Sequence, residues 1–303
     1  MTTIRSFQSD DIPAYVHLIS ELQPVDQLGA ATSEEQTRRL LGRPRCHPEQ
    51  DIFVADERGR LTGYIEVHRE LEIGRLVLTG GVHPACRRRG LGSRLLEAGL
   101  KCGSDLGAKR AHVPVAESET GSQGFLENRG FTLVRRQYQM GLTECGNLPP
   151  QMPAGYVVDH FARGDEESLC AIQNLAFAEH WGFCPNTVEE VRYMVNVVCP
   201  PAEGVLFISS DRKKKAGYCW TAAHPTDSRK GLVHMMGVAP DCRGMGLGRA
   251  VLLAGIEYLR SRGIDEIGLT VDCENRAALA LYQSAGFTRT ATTLWYERGL
   301  DAQ

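Results

Sequence analysis

Residues 82–92 read VHPACRRRGLG and residues 238–248 read VAPDCRGMGLG. Gly246 lies 156 positions after Gly90, and the same spacing separates Gly248 from Gly92, Arg243 from Arg87 and Gly286-Phe287 from Gly130-Phe131. Upstream the spacing is 154, for Phe161 after Phe7, Asp165 after Asp11 and Gly217-Tyr218 after Gly63-Tyr64. A chain that repeats itself with so little drift folds twice into one architecture. The 303 residues divide into halves of about 150, an ordinary domain size. Between the copies, LTECGNLPPQMPAG (142–155) has the Pro and Gly content of an exposed linker. The sequence boundary is set near Pro149, giving domains 1–143 and 155–303 joined by a linker at 144–154.

Each copy presents the same order of elements. A first strand (4–7; 157–161) passes through an Asp-containing turn into an amphipathic helix, a second helical stretch and an alternating hairpin pattern. In the second copy that hairpin is VLFISSDRKKKAGYCWTAA, whose charged turn at 211–215 separates two β-rich runs. A further strand (76–82; 232–238) runs into the glycine loop. After the loop, Leu252, Ile256 and Leu259 recur at helical spacing and Gly263 stands where a helix would end. Strand, glycine loop, helix, strand and helix in that order predict a mixed α/β fold in each half.

Composition narrows the function classes. Lys+Arg 34 against Asp+Glu 37 leaves a net charge of -3, with no global pull toward nucleic acid or an anionic membrane. The ten cysteines are scattered without a C-x-x-C pair, so they read as reduced thiols rather than zinc ligands or a disulfide framework, and no metal is expected. The N-terminus lacks a basic segment followed by an apolar one, and no window has a membrane-spanning length. The expected address is cytoplasmic, as a monomer or homodimer.

Arg243-Gly244-Met245-Gly246-Leu247-Gly248 sits between a strand and a helix start. Backbone N–H groups there have no intrahelical partner and the helix dipole favours an anion. Spacing alone fits a phosphate cradle or a tight strand-to-helix turn. The combination of Val238-x-Pro240-x-x-Arg243-x-x-Gly246-x-Gly248 with LTVDCENRAALALYQSAGF (269–287) resembles the acetyl-CoA-dependent GNAT acyltransferase superfamily. The first copy resembles it through Val82, Pro84, Arg87, Gly90 and Gly92. The duplicated layout, with AFAEHWG at 176–182, looks most like the tandem branch that includes mycothiol synthase.

The resemblance implies two tandem domains, each a mixed, mostly antiparallel sheet flanked by helices. It implies acetyl-CoA as acyl donor. Its pyrophosphate would meet Arg243, Gly244, Gly246, Gly248 and Arg249, with Met236 and Val238 on the acetyl-pantetheine arm. Asn275 would touch coenzyme A or cap the following helix. The first-copy loop equivalents are Arg87, Arg88, Gly90 and Gly92.

Acetyl transfer to an amine needs a base, an oxyanion donor and an acid for the departing thiolate. By resemblance the donor is the Val238 N–H. Tyr282 stands where the family carries its acid, although the apolar stripe Ala278, Leu281, Tyr282, Ala285 also fits a packed helix face. His234, on the strand before the loop, has the ordinary pKa of a base at neutral pH and equally suits a hydrogen-bonded core histidine. Arylalkylamine acetyltransferases carry a strand histidine at this place, whereas mycothiol synthase has a glutamate where this chain has Leu232. His180, Trp181 and Phe183 fall where the superfamily builds its acceptor wall, with Glu179, Glu189 or Glu190 available to a cation or simply solvated.

At the 156 spacing, Tyr282 corresponds to Leu126, Asn275 to Glu119 and His234 to Leu78, so the first copy is expected to hold ligand or serve structurally rather than to catalyse. The expected activity is N-acetylation of a small-molecule primary amine by direct attack in the second domain. The alternatives are a non-catalytic acetyl-CoA-binding module and a protein N-terminal or lysine acetyltransferase.

Overall fold

In the computed structural model, residues 2–22, 33–143, 151–211, 214–225 and 227–300 are described. The first copy runs β1 (Thr3–Ser6), α1 (Ile12–Leu22), α2 (Glu34–Leu41), α3 (Pro48–Asp51), β2 (Ile52–Glu57), β3 (Arg60–Glu70), β4 (Arg75–Val82), α4 (Leu91–Asp105), β5 (Arg110–Ala116), α5 (Thr120–Glu127) and β6 (Thr132–Leu142). The second runs β7 (Tyr156–His160), α6 (Glu166–Phe177), α7 (Val188–Tyr193), β8 (Val205–Ser210), β9 (Lys215–Ala223), β10 (Lys230–Val238), α8 (Leu247–Ser261), β11 (Glu266–Asp272), α9 (Arg276–Ser284) and β12 (Thr288–Gly299). Residues 144–150, in the middle of the sequence linker, lie outside the described residues.

The chain forms two compact units, one of residues 1–135 with 293–303 and one of residues 136–292. This spatial division differs from the sequence boundary because the last strand of each copy serves the other unit. In the first unit, β1 to β4 pair antiparallel in order, β4 joins β5 in parallel, and β12 lies antiparallel on β5. In the second, β7 to β10 pair antiparallel, β10 joins β11 in parallel, and β6 lies antiparallel on β11. Each sheet is thus mixed and mostly antiparallel.

Strand periodicity separates the two faces of each sheet. On β3, Tyr64 packs with Phe7, Tyr15 and Leu18 around α1, while Ile65 and Val67 pack with Leu95 and Leu96 of α4. In the second unit, Leu252, Ile256 and Leu259 of α8 and Leu169 and Ile172 of α6 are all buried in its core. Gly263, one residue beyond the C-cap of α8, takes the left-handed conformation at φ +80° expected of a helix-terminating glycine.

Two features of the second sheet create a site. The parallel pairing of β10 with β11 covers Lys230–Leu232 against Glu266–Gly268 and then stops, although β10 continues to Val238 on β9. Past that point the edge of β10 away from β9 has no ladder partner among the described residues, and the strands part toward the glycine loop. The second feature is a bulge. Val233 faces Thr221 and Met235 faces Trp220, so His234 is an extra residue with no opposite number on β9.

The parallel strands of the first sheet also part, after Arg75–Val77 against Arg110–His112, but β4 pairs with β3 without irregularity. Register therefore matches 75–78 to 230–233 and 79–82 to 235–238. The expected equivalence of His234 with Leu78 is corrected: His234 is an insertion with no first-copy counterpart.

Candidate active site

The glycine loop follows β10 through a short turn at Pro240–Cys242. Gly244 and Gly246 both have φ +79°, a region L side chains rarely adopt. A Cβ on Gly244 would meet nothing within 4 Å, so backbone conformation, not crowding, selects glycine there. Gly246 caps α8, and Ala250 N–H closes the first turn on its carbonyl at 3.1 Å. The N–H groups of Leu247, Gly248 and Arg249 have no carbonyl four residues back inside α8 and mark its positive end.

The first copy repeats this loop with Gly90 at φ +76° and Arg88 at φ +63°, where the second copy has Gly244. A non-glycine residue there carries strain, so Arg88→Gly is expected to stabilise the first unit by about 1 kcal/mol. Chemical denaturation of the full chain measures it, and an unchanged or lower midpoint would show that Arg88 is not strained. A Cβ on Gly92 would lie 3.5 Å from Phe125, and one on Gly248 would lie 3.6 Å from Leu281, so each loop abuts the next helix.

The loop arginines are held by backbone carbonyls. Arg243 Nε donates to Val238 O at 3.4 Å and Nη2 donates to Ala176 O at 2.9 Å. Arg87 Nε likewise donates to Val82 O at 3.0 Å. Each guanidinium fastens its loop to the end of the preceding strand, and in the second unit to the end of α6 as well. Arg249 Nη1 donates to Ser284 Oγ at 2.6 Å, joining α8 to α9 with its charge near the helix start.

Asn275 Oδ1 accepts from Ala278 N–H at 3.1 Å and caps α9, as one of the two sequence readings had it. That cap starts the helix carrying Tyr282. The Tyr282 side chain is 7% exposed and meets Phe287 edge-on with centroids 6.0 Å apart. Burial, followed by the proximity of Cys219, holds its hydroxyl well above the usual phenol pKa. Tyr282 therefore keeps its phenolic proton at neutral pH. Cys219, behind Met236 on the neighbouring strand, is fully enclosed and its thiol is pushed up to about 12, which removes it as a nucleophile.

His234 is not a core histidine. Its side chain is open to solvent at the bulge, with its ring edge-on to Trp220 at 5.0 Å and 72°. Protein around the rest of the ring strips hydration and lowers its pKa, so the neutral, proton-accepting form dominates at pH 7. Met236 and Val238 follow on the unpaired edge of β10, half-buried.

The acceptor-wall segment follows α6. The rings of His180 and Phe183 pack tilted against Phe177 at centroid distances of 4.6 and 5.6 Å, and Trp181 is half-buried between them in sequence. Partial burial and the Arg243 charge lower the His180 pKa against the opposing effect of Asp272, at the end of β11. This segment therefore lies within electrostatic reach of the glycine loop and of the opening between the strands. Glu190 is committed elsewhere, accepting from Thr187 N–H and Oγ1–H at 2.8 Å in a capping box. Glu179 and Glu189 remain exposed.

Two contributors escaped the sequence reading. Trp220 supports His234, and its only signal was its place in a β-rich run. Gly237 lets α6 press onto β10, since a Cβ there would fall 2.7 Å from Ala176 Cβ and 3.1 Å from Phe177. The repeated Gly-Val pair before each loop was visible but carried no reason until the helix was seen against it.

Comparison with known proteins agrees with this architecture. The family model described as the acetyltransferase (GNAT) family matches twice, at residues 16–131 and 167–287. A mycothiol acetyltransferase of Thermobispora bispora is 37% identical over 223 residues, covering 72% of this chain and 74% of that protein. One from Stackebrandtia nassauensis is 31% identical over 280 residues, covering 90% of each. A tandem GNAT protein from the clavulanic acid biosynthesis pathway superposes over 100% of both chains with TM-score 0.80 at 18% identity. A GCN5-related N-acetyltransferase from Sphaerobacter thermophilus superposes over 99% of this chain and 96% of its own with TM-score 0.76 at 24% identity. With its glycine loops, parting strands and two family matches, this chain belongs to the GNAT acetyltransferases as a tandem member and is an acetyl-CoA-dependent acyltransferase.

Proposed function

We propose that the second copy acetylates a primary amine of a small molecule, without a covalent enzyme intermediate. The observation that carries this reading is the bulge, which puts a solvent-open histidine where β10 leaves β11, one strand end away from a free-amide glycine loop. The loop fits a pyrophosphate through Gly244, Gly246 and the first amides of α8, in backbone conformations a side chain would strain. Acetyl-CoA supplies the activated acyl carbon. The chain's own residues handle the protons. His234 accepts one from the amine, directly or through a water, and Tyr282 holds one for the leaving sulfur. The N–H of Val238 is assigned to the acyl oxygen.

A small-molecule acceptor is supported by the curated relatives, which are named mycothiol acetyltransferases. Leu232 stands where the resemblance places a glutamate in mycothiol synthase, so the reading gives proton removal to His234 instead. No helix among the described residues is long and apolar enough to cross a membrane, and we place the activity in the cytoplasm, where free thiols persist.

Calorimetric titration of acetyl-CoA into the full chain and into a Gly246→Glu variant tests the cradle. The variant, folded by circular dichroism, is expected to lose the second-copy binding event. Absence of binding by the unmodified chain would end the reading, and binding without turnover across a broad amine panel would favour a non-catalytic module.

A further inference from the structure

The first unit has a polar constellation that the glycine-loop chemistry does not use. Tyr64, Glu66 and His68 alternate along the α1 face of β3, and Glu66 sits opposite Thr79 of β4. The Tyr15 hydroxyl, from α1, donates to Glu66 Oε1. His68 Nε2 lies 3.2 Å from Glu66 Oε2 and 3.1 Å from Thr79 Oγ1, while Arg43 Nη2 approaches His68 Nδ1 at 2.7 Å. A guanidinium only donates, so Nδ1 faces Arg43 as the acceptor and Nε2–H is the donor toward Glu66 and Thr79.

Glu66 stays ionised in this setting. Burial pushes its pKa up, but the hydrogen bond from His68 and the electrostatic effect of that ring, then the hydrogen bond from Tyr15 and the charge of Arg43, outweigh it and leave it below the ordinary value. The surrounding charges are accounted for: Asp51 is paired with Arg69 at 2.5 Å, Glu70 is paired with Arg75, and burial keeps the Cys46 thiol protonated.

The fold does not require this network. By register the second copy has Leu169 for Tyr15, Trp220 for Glu66, Ala222 for His68 and Met235 for Thr79, an apolar set on the same face. Burying an ionised carboxylate where apolar residues suffice costs stability, since buried ion networks rarely outperform apolar packing. Such a perturbed cluster is a functional-site candidate. Its position fits that role, because Thr79 lies two residues past Val77, the last residue of β4 paired with β5.

We propose that Glu66, Thr79 and the His68 that orients them form a binding site for a primary ammonium group in the first unit. A carboxylate has about four lone-pair positions; Tyr15 and His68 take two. The remaining two and Thr79 Oγ1 offer three acceptors to the three N–H donors of R–NH3+. Glu66 and His68 side chains are 22% and 27% exposed, so the pair is only partly enclosed. The site belongs to the first unit and does not rest on the assignment of His234 or Tyr282.

The test uses the full chain labelled with 15N-histidine, with the His68 ring signals identified by their loss in His68→Gln. It is titrated with n-butylammonium chloride and, separately, with 1-butanol and with sodium chloride. Saturable shifts of the His68 ring nitrogens are expected with the ammonium ion and not with the alcohol or salt. Glu66→Gln, which keeps the acceptor for Nε2–H but loses the charge, is expected to weaken binding at least tenfold. Thr79→Val leaves the carboxylate in place and is expected to weaken it severalfold, which decides the matter if Glu66→Gln does not fold. Absence of a saturable shift, an equal response to 1-butanol, or undiminished affinity in either folded variant would show a purely structural network. Second-copy turnover, measured on the same variants, is expected to be unchanged.

Discussion

In a Tyr282→Phe variant, kcat for acetyl transfer is expected to fall by about two orders of magnitude, the usual weight of a positioned general acid. The change deletes one oxygen from a side chain that is 7% exposed and leaves its edge-on contact with Phe287 intact. Acetyl-CoA affinity should therefore hold, because the cradle is built from backbone at Gly244, Gly246 and the start of α8. Burial raises the phenol above its ordinary pKa, so Tyr282 stays protonated across any neutral assay and the loss should be nearly constant from mildly acidic to mildly alkaline pH. Steady-state kinetics under conditions where chemistry limits turnover gives the answer. An unchanged kcat would remove Tyr282 as the acid.

His234→Ala is expected to cost a similar factor of about one hundred in kcat/KM near neutral pH, with a different pH signature. The histidine pKa is lowered from its ordinary value, so the base is competent above that lowered pKa and lost as pH falls through it. The unmodified enzyme should show an acidic limb that the variant lacks. Toward alkaline pH the free-amine fraction of the acceptor rises about tenfold per unit below the amine pKa, and the deficit of the variant should shrink. A deficit equal at every pH would mean that His234 shapes the site without moving a proton.

Much of this molecule could be read before its structure was known, and the exceptions share a cause. The duplication, the strand leading into each glycine loop and the helix ending at Gly263 are local patterns, and local patterns survive in one dimension. His234 could not be placed because two single-residue insertions separate the 154 and 156 spacings. One of them is the bulge itself, which only the ladder register locates. The direction of the Arg243 side chain was equally silent, since no local pattern tells that Val238 O and Ala176 O accept from it. Glu66 and His68 belong to no local motif, and only the approach of Tyr15 and Arg43 from distant segments makes them a network.

The placement of β12 on β5 and of β6 on β11 has a consequence for biosynthesis. Chains generally fold domain by domain as they emerge from the ribosome, N-terminal first. Here the first half, although synthesised first, lacks the final strand of its sheet until the second half has been translated through Gly299. Until then the rim of β5 is bare, an open template for another nascent chain. The second half receives β6 early and can close its sheet as soon as β11 is made. The order of completion is thus the reverse of the order of synthesis, and a fragment ending at residue 143 would lack a strand of its own sheet and carry one belonging to the other.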